Sequence, residues 1–420
     1  MSFQQGLSGL NATSQHLQII GNNIANANTY GSKVARAEFS DVYATALNGS
    51  GTQSIGIGTT LSQVAQQFSQ GNISTTENPM DLAINGAGFF QVTDGNSPPV
   101  FTRNGQFKVD REGFIVNNGG MRLMGYRADD QGTVQPGQAV PLRLPTAGVS
   151  PSPTSEIAVE MNLDARQAAT LPAAGPKIDF ADAETYNNAT SLTLYDAKGQ
   201  EVALTYYFQK SATDTWNVYA TANGVTIAGA AGDPQPLTTI EFLADGSVPT
   251  APAGPVSFDV PASTNLQGAE TLAITGVMLD VGGATQFGSP FGVTDLRQDG
   301  FSAGLLTSIT IEADGVINAR YSNGRSRPAG QVEIANFRNP QGLQPVGDNA
   351  WARTLASGDP VAGVPGEGAL GSLQAGALEE SNIDLTSELV SMITAQRTYQ
   401  ANAQTIKTQD QVLQTLLNLR

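Results

Sequence analysis

Residues 381–420 read SNIDLTSELVSMITAQRTYQANAQTIKTQDQVLQTLLNLR and contain neither glycine nor proline. Apolar side chains recur in this stretch at alternating spacings of four and three residues, which is typical of a helix that packs against another helix. Ser381 and Asp384 have the spacing of a capping box at the helix start. We therefore predict a long C-terminal helix within 377–420 that requires a partner. Its predicted contact positions are Leu385, Leu389, Met392, Tyr399, Ala403, Ile406, Leu413 and Leu417.

The first 30 residues repeat the same spacing and are predicted to form a second helix. Gly6, Gly9 and Gly21 interrupt it, and each costs a helix about 1 kcal/mol relative to alanine. This segment is therefore expected to be helical only when it is packed against a partner. The obvious partner is the C-terminal helix, in the same chain or in a neighbouring subunit. The predicted contact positions are Phe3, Leu7, Leu10, Leu17, Ile20 and Ile24.

Between these ends the sequence is typical of β structure. Asp94-Gly95, Lys198-Gly199 and Asp314-Gly315 are three of several turn dipeptides that lie between β-rich runs. Residues 192–195 and 202–208 are predicted to form a hairpin around a turn at 196–200. Segments rich in proline and small residues, at 141–153, 281–290 and 356–376, mark the predicted boundaries. The predicted fold class is mainly β with long α-helical termini, in which discontinuous β domains are nested in the chain.

The charge composition excludes several classes of partner. Charged residues make up only 14% of the 420 residues, against about 25% in typical soluble domains. The formal net charge is −16, and residues 146–284 contain 15 acidic but only 4 basic side chains. This acidic middle argues against nucleic acid or anionic lipid as a partner. No apolar run is long enough to predict membrane insertion.

Residues that carry chemistry are scarce, and we predict that the chain is not an enzyme and has no cofactor or metal. There is no cysteine, and the single histidine, His16, lies on the polar side of the N-terminal helical pattern. Trp216 and Trp351 lie within β segments and are expected to be core residues. Residues 1–32 carry no charged side chain and lack the basic start and apolar core of a secretory signal peptide.

Four stretches resemble one protein family. Residues 21–33, GNNIANANTYGSK, resemble the NNxANxxTxGxK signature of the bacterial flagellar axial proteins, which include rod and hook subunits. Residues 101–107, 336–343 and 395–410 resemble the shared β core and the C-terminal helix of that family. The signature positions are Asn22, Asn23, Ala25, Asn26, Asn28, Thr29, Gly31 and Lys33.

The long middle insertion resembles the outer domain of hook proteins rather than anything typical of rod proteins. The resemblance implies an inner tube domain at 1–30 and 377–420, whose helices pair as a coiled coil in the polymer, and a connecting segment at 31–70. It further implies a middle β domain at 71–145 and 285–360, an outer acidic domain at 146–284 and a linker at 361–376. The absence of cysteine excludes the cysteine-dependent cross-links of some hooks.

The resemblance also implies a function. A hook subunit polymerises into a curved, flexible tube outside the cell, which transmits motor torque from rod to filament and encloses the export channel. The implied partners are other copies, the distal rod, the hook cap, the hook-associated junction proteins, the length-control protein and the flagellar export apparatus, which needs no cleaved signal. Two alternatives stay open: a distal rod or hook-associated junction protein and, more distantly, a secreted β-rich adhesin or enzyme.

Overall fold

A computed structural model describes residues 2–43, 56–129, 132–145, 148–170 and 177–418. It confirms the predicted class, because strands dominate the described ranges and one long α-helix lies at each end. Helix α1 spans Ser2–Asn26 and helix α2 spans Leu385–Asn418. Neither described helix is long and apolar enough to cross a membrane.

The chain forms two units by its internal contacts. Unit 1 comprises Met1–Thr146, Ser308–Arg320 and Ser326–Arg420, and unit 2 comprises Ala147–Thr307 and Tyr321–Arg325. The strands of the first passage through unit 1 are β1 (Ala35–Tyr43), β2 (Gly56–Gln66), β3 (Ile73–Thr75), β4 (Leu82–Asn85), β5 (Phe89–Thr93), β6 (Val100–Thr102), β7 (Lys108–Val109), β8 (Ile115–Val116), β9 (Arg122–Arg127) and β10 (Val140–Pro141).

Unit 2 holds the next strands and one short 3₁₀ helix, at Ala183–Thr185. Its strands are β11 (Glu156–Asn162), β12 (Asn188–Tyr195), β13 (Glu201–Ala212), β14 (Thr215–Ala222), β15 (Val225–Thr226), β16 (Gly229–Ala230), β17 (Asp233–Pro234), β18 (Thr238–Phe242), β19 (Pro249–Ala251), β20 (Val256–Val260), β21 (Ile274–Asp280) and β22 (Gly292–Gln298).

The chain then returns to unit 1, where a second 3₁₀ helix spans Pro340–Gly342. The remaining strands are β23 (Leu306–Ile311), β24 (Val316–Tyr321), β25 (Ser326–Val332), β26 (Ile334–Asn336), β27 (Gln344–Gly347), β28 (Ala350–Ala352), β29 (Val361–Gly363), β30 (Ser372–Ala375) and β31 (Ala377–Glu379).

The main sheet of unit 1 mixes strands from both passages of the chain. Its path runs β23-β24-β25-β9-β5-β6-β28-β27. Side chains such as Leu82, Phe90, Leu123 and Ile334 fill the core with at most 1% exposure. A second cluster packs Phe89, Phe101, Phe337 and Trp351 edge to face, as aromatic rings prefer. Trp351 is thus a core residue, as predicted.

Unit 2 is built on two sheets, with the paths β20-β21-β11-β22 and β12-β13-β14-β18-β19. Alternating side chains of β13 and β14 face a core around the fully buried Trp216, which confirms its predicted role. The indole Nε1 of Trp216 donates to Oε1 of Gln286 over 2.8 Å. The predicted hairpin is also present, because β12 and β13 pair antiparallel around the turn at Asp196–Gly199.

Several boundaries differ from those expected from the sequence. Unit 2 continues past residue 284 to Thr307, because β22 pairs antiparallel with β11. Residues 361–376, predicted as a linker, contribute β29 and β30 to strand pairs with β26 and β4. Residues 31–70 include the β1–β2 hairpin rather than a plain connection. Glycine and proline occur in short strands as well as in linkers, so composition does not separate the two.

The start of α2 also differs from the predicted one. Residues 377–379 form strand β31, which pairs with β3, and the helix begins at Leu385. Asp384 rather than Ser381 is the N-cap, because its Oδ1 accepts from the backbone N–H of Thr386 over 2.9 Å. Asp384 also uses its carbonyl as the acceptor for the Glu388 N–H. A carboxylate at this position favours a helix start, since it accepts from otherwise unpaired N–H groups.

Candidate functional site

The two terminal helices pair within the chain and run antiparallel. Gly6 and Gly9 of α1 lie against Ile406 and Asn402 of α2, while Asn23 Nδ2 donates to Glu388 Oε1 over 3.3 Å at the other end. The two helices predicted to be partners are therefore packed together. Among the options left open by the sequence, this chain shows the pairing in cis.

Glycines allow this close approach. A Cβ added to Gly9 would lie 2.9 Å from Nδ2 of Asn402, and one added to Gly6 would lie 3.1 Å from Cγ1 of Ile406. The hydroxyl of Thr13 turns back to the carbonyl of Gly9 over 2.6 Å. Gly6 and Gly9, two of the three glycines that weaken α1 as an isolated helix, therefore let α2 pack against it.

The contact overlaps only in part with the predicted stripe of α2, because Ile406 is a predicted position that lies against Gly6, whereas Asn402 is not a predicted one. Glu388, Ala395 and Asn402, spaced seven residues apart, face α1 or are buried, whereas Leu389, one position further on, is 45% exposed. Met392, Ala403 and Ile406 are half-buried. Ile406 enters the seam opposite Gly6, and small or polar side chains such as Ala395 and Asn402 occupy other positions of it.

The predicted positions on α1 divide in the same way. Ile20 is buried, Leu10, Leu17 and Ile24 are half-buried, and Leu7 is 44% exposed. The side chains of Phe3, Leu413 and Leu417 lie outside the described residues. The helix pair thus covers only part of the apolar pattern that the sequence predicts.

An exposed apolar face remains on the first half of α2, and we call it the α2 patch. It consists of Leu385, Leu389, Val390 and Ile393, whose exposures lie between 45% and 60%. Leu385, Leu389 and Ile393 are spaced four residues apart and share one side of the helix. Tyr399, a predicted contact residue, is also 37% exposed. The chain thus carries apolar helical surface that its own fold does not bury.

The signature residues fix the exit of α1. Asn23 is buried and makes both amide hydrogen bonds with the backbone of Ala35, donating to its carbonyl over 2.8 Å and accepting from its N–H over 3.0 Å. Asn26 Nδ2 donates to Asn22 Oδ1 over 2.7 Å. Thr29 accepts the Ser32 N–H at its carbonyl, which closes a turn. Asn22, Ala25 and Asn28 are exposed.

Lys33, the last signature residue and the first charge in the sequence, enters a buried ion triad. Its Nζ lies 2.6 Å from Oε1 of Glu379, and both side chains have no solvent exposure. Arg103 approaches the second oxygen, Oε2, at 3.0 Å. The triad joins the segment after α1, the loop after β6 and the strand before α2.

Two cations share one carboxylate here, and backbone carbonyls accept further N–H groups of each cation, although Arg103 Nε is buried with no hydrogen-bond partner among the described residues. Lys33 Nζ donates to Ser69 O over 2.8 Å, and Arg103 donates to Gly86 O over 2.8 Å. Burial lowers the pKa of Lys33, and the nearby Glu379 carboxylate opposes that shift. Burial lowers the pKa of Arg103 against the same carboxylate. The triad is therefore a desolvated site in which the two cations and the carboxylate compensate one another's charge.

Sequence reasoning missed Glu379, Arg103 and Asn382 as site residues. Asn382 Oδ1 accepts from the Val34 N–H over 2.8 Å, and its Nδ2 donates to Gln67 O over the same distance. A signal existed for Arg103, since it lies in the stretch at 101–107 that resembles the β core of a known family. Glu379 and Asn382 carried no local signal.

Four family models match consecutive parts of the chain. "Flagella basal body rod protein" matches residues 3–33 and "Flagellar hook protein FlgE/F/G D1 domain" matches 83–167. "Flagellar basal body protein FlaE D2 domain" matches 162–301 and "Flagellar basal body rod FlgEFG protein C-terminal" matches 374–419. Together with paired terminal helices on a discontinuous β body, these matches define a protein of the flagellar rod and hook class.

Full-length relatives narrow the class. The flagellar hook protein FlgE of Salmonella typhimurium strain LT2 is 38% identical over 100% of both chains, and so is FlgE of Escherichia coli K12. The chain belongs to the flagellar hook protein family. The crystal structure of Helicobacter pylori flagellar hook protein FlgE2 shares the fold, with a TM-score of 0.54 and 15% identity over 73% of this chain and 99% of that one.

Proposed function

We propose that the chain is a structural subunit that polymerises with other copies into the curved, flexible tube of the flagellar hook. The tube would act as a universal joint, transmitting motor torque from rod to filament around a central export channel. The observation that carries this proposal is the α2 patch, because a monomer has no reason to leave four aliphatic side chains open on one helix face.

The patch suits a permanent contact between copies. Burying aliphatic surface contributes about 25 cal/mol per Å². The surrounding residues of α2 are mainly Gln, Thr, Ser and Asn, so little charge has to be desolvated. Leu7 offers further exposed apolar surface on α1. The proposed contact residues are the exposed members of the predicted 4-3 pattern, with Val390 and Ile393 added: Leu7, Leu385, Leu389, Val390, Ile393 and Tyr399.

The proposed place of each part in the polymer follows from the family resemblance, and the charge of the acidic stretch supports the placement of unit 2. We assign α1 and α2 to the inner tube, and the β body of unit 1 to a middle layer. Unit 2 holds the acidic stretch and is assigned to the outer surface, where self-repulsion keeps it soluble.

Partners and route follow from the family. We propose contacts with the distal rod, the hook cap, the hook-associated junction proteins and the length-control protein. We also propose passage through the flagellar export apparatus to the exterior of the cell. A role as a structural polymer, with no catalysis, accompanies this assignment.

The test is the double variant Leu389→Asp/Ile393→Asp in the full-length chain. Each aspartate replaces a half-exposed side chain, so the monomer should keep its melting temperature, whereas the polymer should lose the contact. We expect assembly, followed by sedimentation and electron microscopy, to fail. A strain that lacks its own hook subunit should also stay non-motile when it expresses this variant.

The matched control is Leu266→Asp, which makes the same change at a residue of unit 2 that is 92% exposed. It should assemble normally. Normal assembly of the double variant would overturn the proposal. Immunogold labelling of wild-type organelles with an antibody against residues 146–284 then locates the subunit. Label on the straight rod or at the filament junction alone would assign it to those positions instead.

A further inference from the structure

Glu379 connects the two ends of the chain through its backbone and its side chain. Its carbonyl accepts the Gly31 N–H over 2.8 Å, while Oε1 accepts from Lys33 and from the Gly71 N–H over 2.9 Å. Oε2 accepts from Arg103. Every one of these donors lies at least 276 positions away along the chain.

We propose that Glu379 acts as a latch, meaning a residue through which each of the two terminal segments needs the other in order to dock and stay ordered. In this view the segment that follows α1 and the strand that precedes α2 dock together on the Arg103 loop, and neither docks stably alone. The inference does not rest on polymerisation, since it concerns contacts within one chain.

A half-formed triad would leave a buried charge without its partner, which raises the free energy of that state. If β31 docked without Lys33, the carboxylate of Glu379 would lose one of its two cations and stay buried. If the Lys33 segment docked without Glu379, an ammonium group would be buried with only the Ser69 carbonyl as its acceptor. An unpaired buried charge is strongly unfavourable, so the half-docked states are penalised relative to the fully docked one.

Neighbouring contacts strengthen this coupling and extend it toward the helices. Asn382, in the link between β31 and α2, holds the Val34 N–H. Asn23, near the end of α1, donates hydrogen bonds from Nδ2 to the carbonyl of Ala35 and to Oε1 of Glu388 in α2. The buried charges and the two asparagines form one continuous set of contacts, so the latch should position both helices.

Hydrogen–deuterium exchange on the full-length protein, read by mass spectrometry, tests the latch. Glu379→Gln keeps the size and removes the charge, and we expect faster exchange in α1 as well as in α2. Lys33→Met should give the reciprocal result, with faster exchange in the first turns of α2. Removing one partner of a buried pair predicts an acceleration on the order of 100-fold.

The control is Arg36→Met, which breaks an ion pair of the same length that lies in solvent. Arg36 is 2.6 Å from Glu38, with side-chain exposures of 65% and 41%. It should leave exchange in α2 unchanged. The conservative variant Lys33→Arg keeps the charge, so its α2 amides should exchange more slowly than those of Lys33→Met.

Amides of unit 2 in the same samples report whether the rest of the chain is folded. Fast exchange confined to α1 in Lys33→Met and to α2 in Glu379→Gln would overturn the proposal. So would a double variant Lys33→Met/Glu379→Gln whose effects simply add, because a shared latch can be lost only once. If unit 2 also unfolds in Glu379→Gln, exchange of the α2 amides is compared between Lys33→Arg and Lys33→Met instead. Slower exchange in Lys33→Arg supports the latch, and equal exchange in the two variants overturns it.

Discussion

Gly31 lies directly against Asn104: a Cβ added to Gly31 would stand 2.4 Å from the backbone nitrogen of Asn104. Gly31 also has a φ of +71°, in the left-handed region that glycine tolerates best. The signature glycine is therefore required both for the backbone conformation and for the contact between the segment after α1 and the loop of Arg103. The obstacle is backbone, which has little freedom to move.

We predict that Gly31→Ala destabilises unit 1 by about 3 kcal/mol or more, because strain at positive φ adds to a steric overlap. The free energy of unfolding of unit 1 is measured from hydrogen–deuterium exchange of its amides in the full-length protein at increasing urea concentrations. Gly95→Ala is the matched control, since Gly95 has a φ of +85° but nothing within 4 Å of the added Cβ. It should cost about 1–2 kcal/mol. If the two variants lose the same free energy of unfolding, the close contact with Asn104 does not add to the strain at Gly31.

The close approach of α1 and α2 gives a second prediction. Gly9→Leu places a large side chain where even a Cβ would meet Asn402 at 2.9 Å, so we expect a loss of about 1–3 kcal/mol. Gly21→Leu is the control, because nothing lies within 4 Å of a Cβ there and leucine is a better helix former by up to about 1 kcal/mol. Thermal unfolding followed by the helical circular dichroism signal should give a lower melting temperature for Gly9→Leu and a higher one for Gly21→Leu. Parallel shifts would mean that the helices are not packed at Gly9.

Local patterns in the sequence predicted what local physics determines. The helix-period spacing identified α1 and α2, and turn chemistry at Asp196–Gly199 identified the β12–β13 hairpin. The choice of seam on α2 was less accessible, because apolar periodicity marks every face that becomes buried, including a face left for another copy. Leu389 and Ala395 both satisfy a helical pattern, yet only Ala395 is buried in the monomer.

The ion triad could not be predicted because its members meet only in the folded chain. Lys33 and Glu379 are separated by 346 positions, and nothing near Glu379 distinguishes it from the exposed acidic residues. The boundary of unit 2 is hard to predict for the same reason, since β22 is defined by its pairing with β11, more than 120 positions earlier. Long-range pairing leaves no periodic trace in the sequence.

The N-cap of α2 can be tested by two alanine variants. Asp384→Ala removes the side-chain acceptor for the Thr386 N–H and should destabilise the start of α2 by about 1 kcal/mol. Ser381→Ala should have a smaller effect, because its Oγ accepts only a 3.3 Å bond from the Ile383 N–H before the helix begins. Exchange of the first-turn amides of α2 measures both. A larger effect of Ser381→Ala would restore the capping box expected from the sequence.

Glu333 gives a pH-dependent prediction. Its side chain is buried in unit 1, Oε1 accepts from the Tyr126 hydroxyl over 3.0 Å, and Oε2 has no hydrogen-bond partner among the described residues. Burial raises the pKa of Glu333, opposed by that hydrogen bond. The folded state therefore binds more protons than the unfolded state just above pH 4.5, so the free energy of unfolding falls as pH rises through this window. The burial of this carboxylate therefore destabilises the fold least below pH 4.5 and more as the pH rises above it.

Glu333→Gln keeps an acceptor for Tyr126 and removes the charge. We expect this variant to melt at a higher temperature than the wild type at pH 7, with the difference shrinking toward pH 4, where the wild-type carboxyl is protonated. Tyr126→Phe is the opposing control, because it removes the hydrogen bond that the Tyr126 hydroxyl donates to the carboxylate and should lower the melting temperature at pH 7. A wild type that is more stable than Glu333→Gln at pH 7, but not at pH 4, would mean that the hydrogen bond from Tyr126 to the charged carboxylate outweighs the cost of burying it.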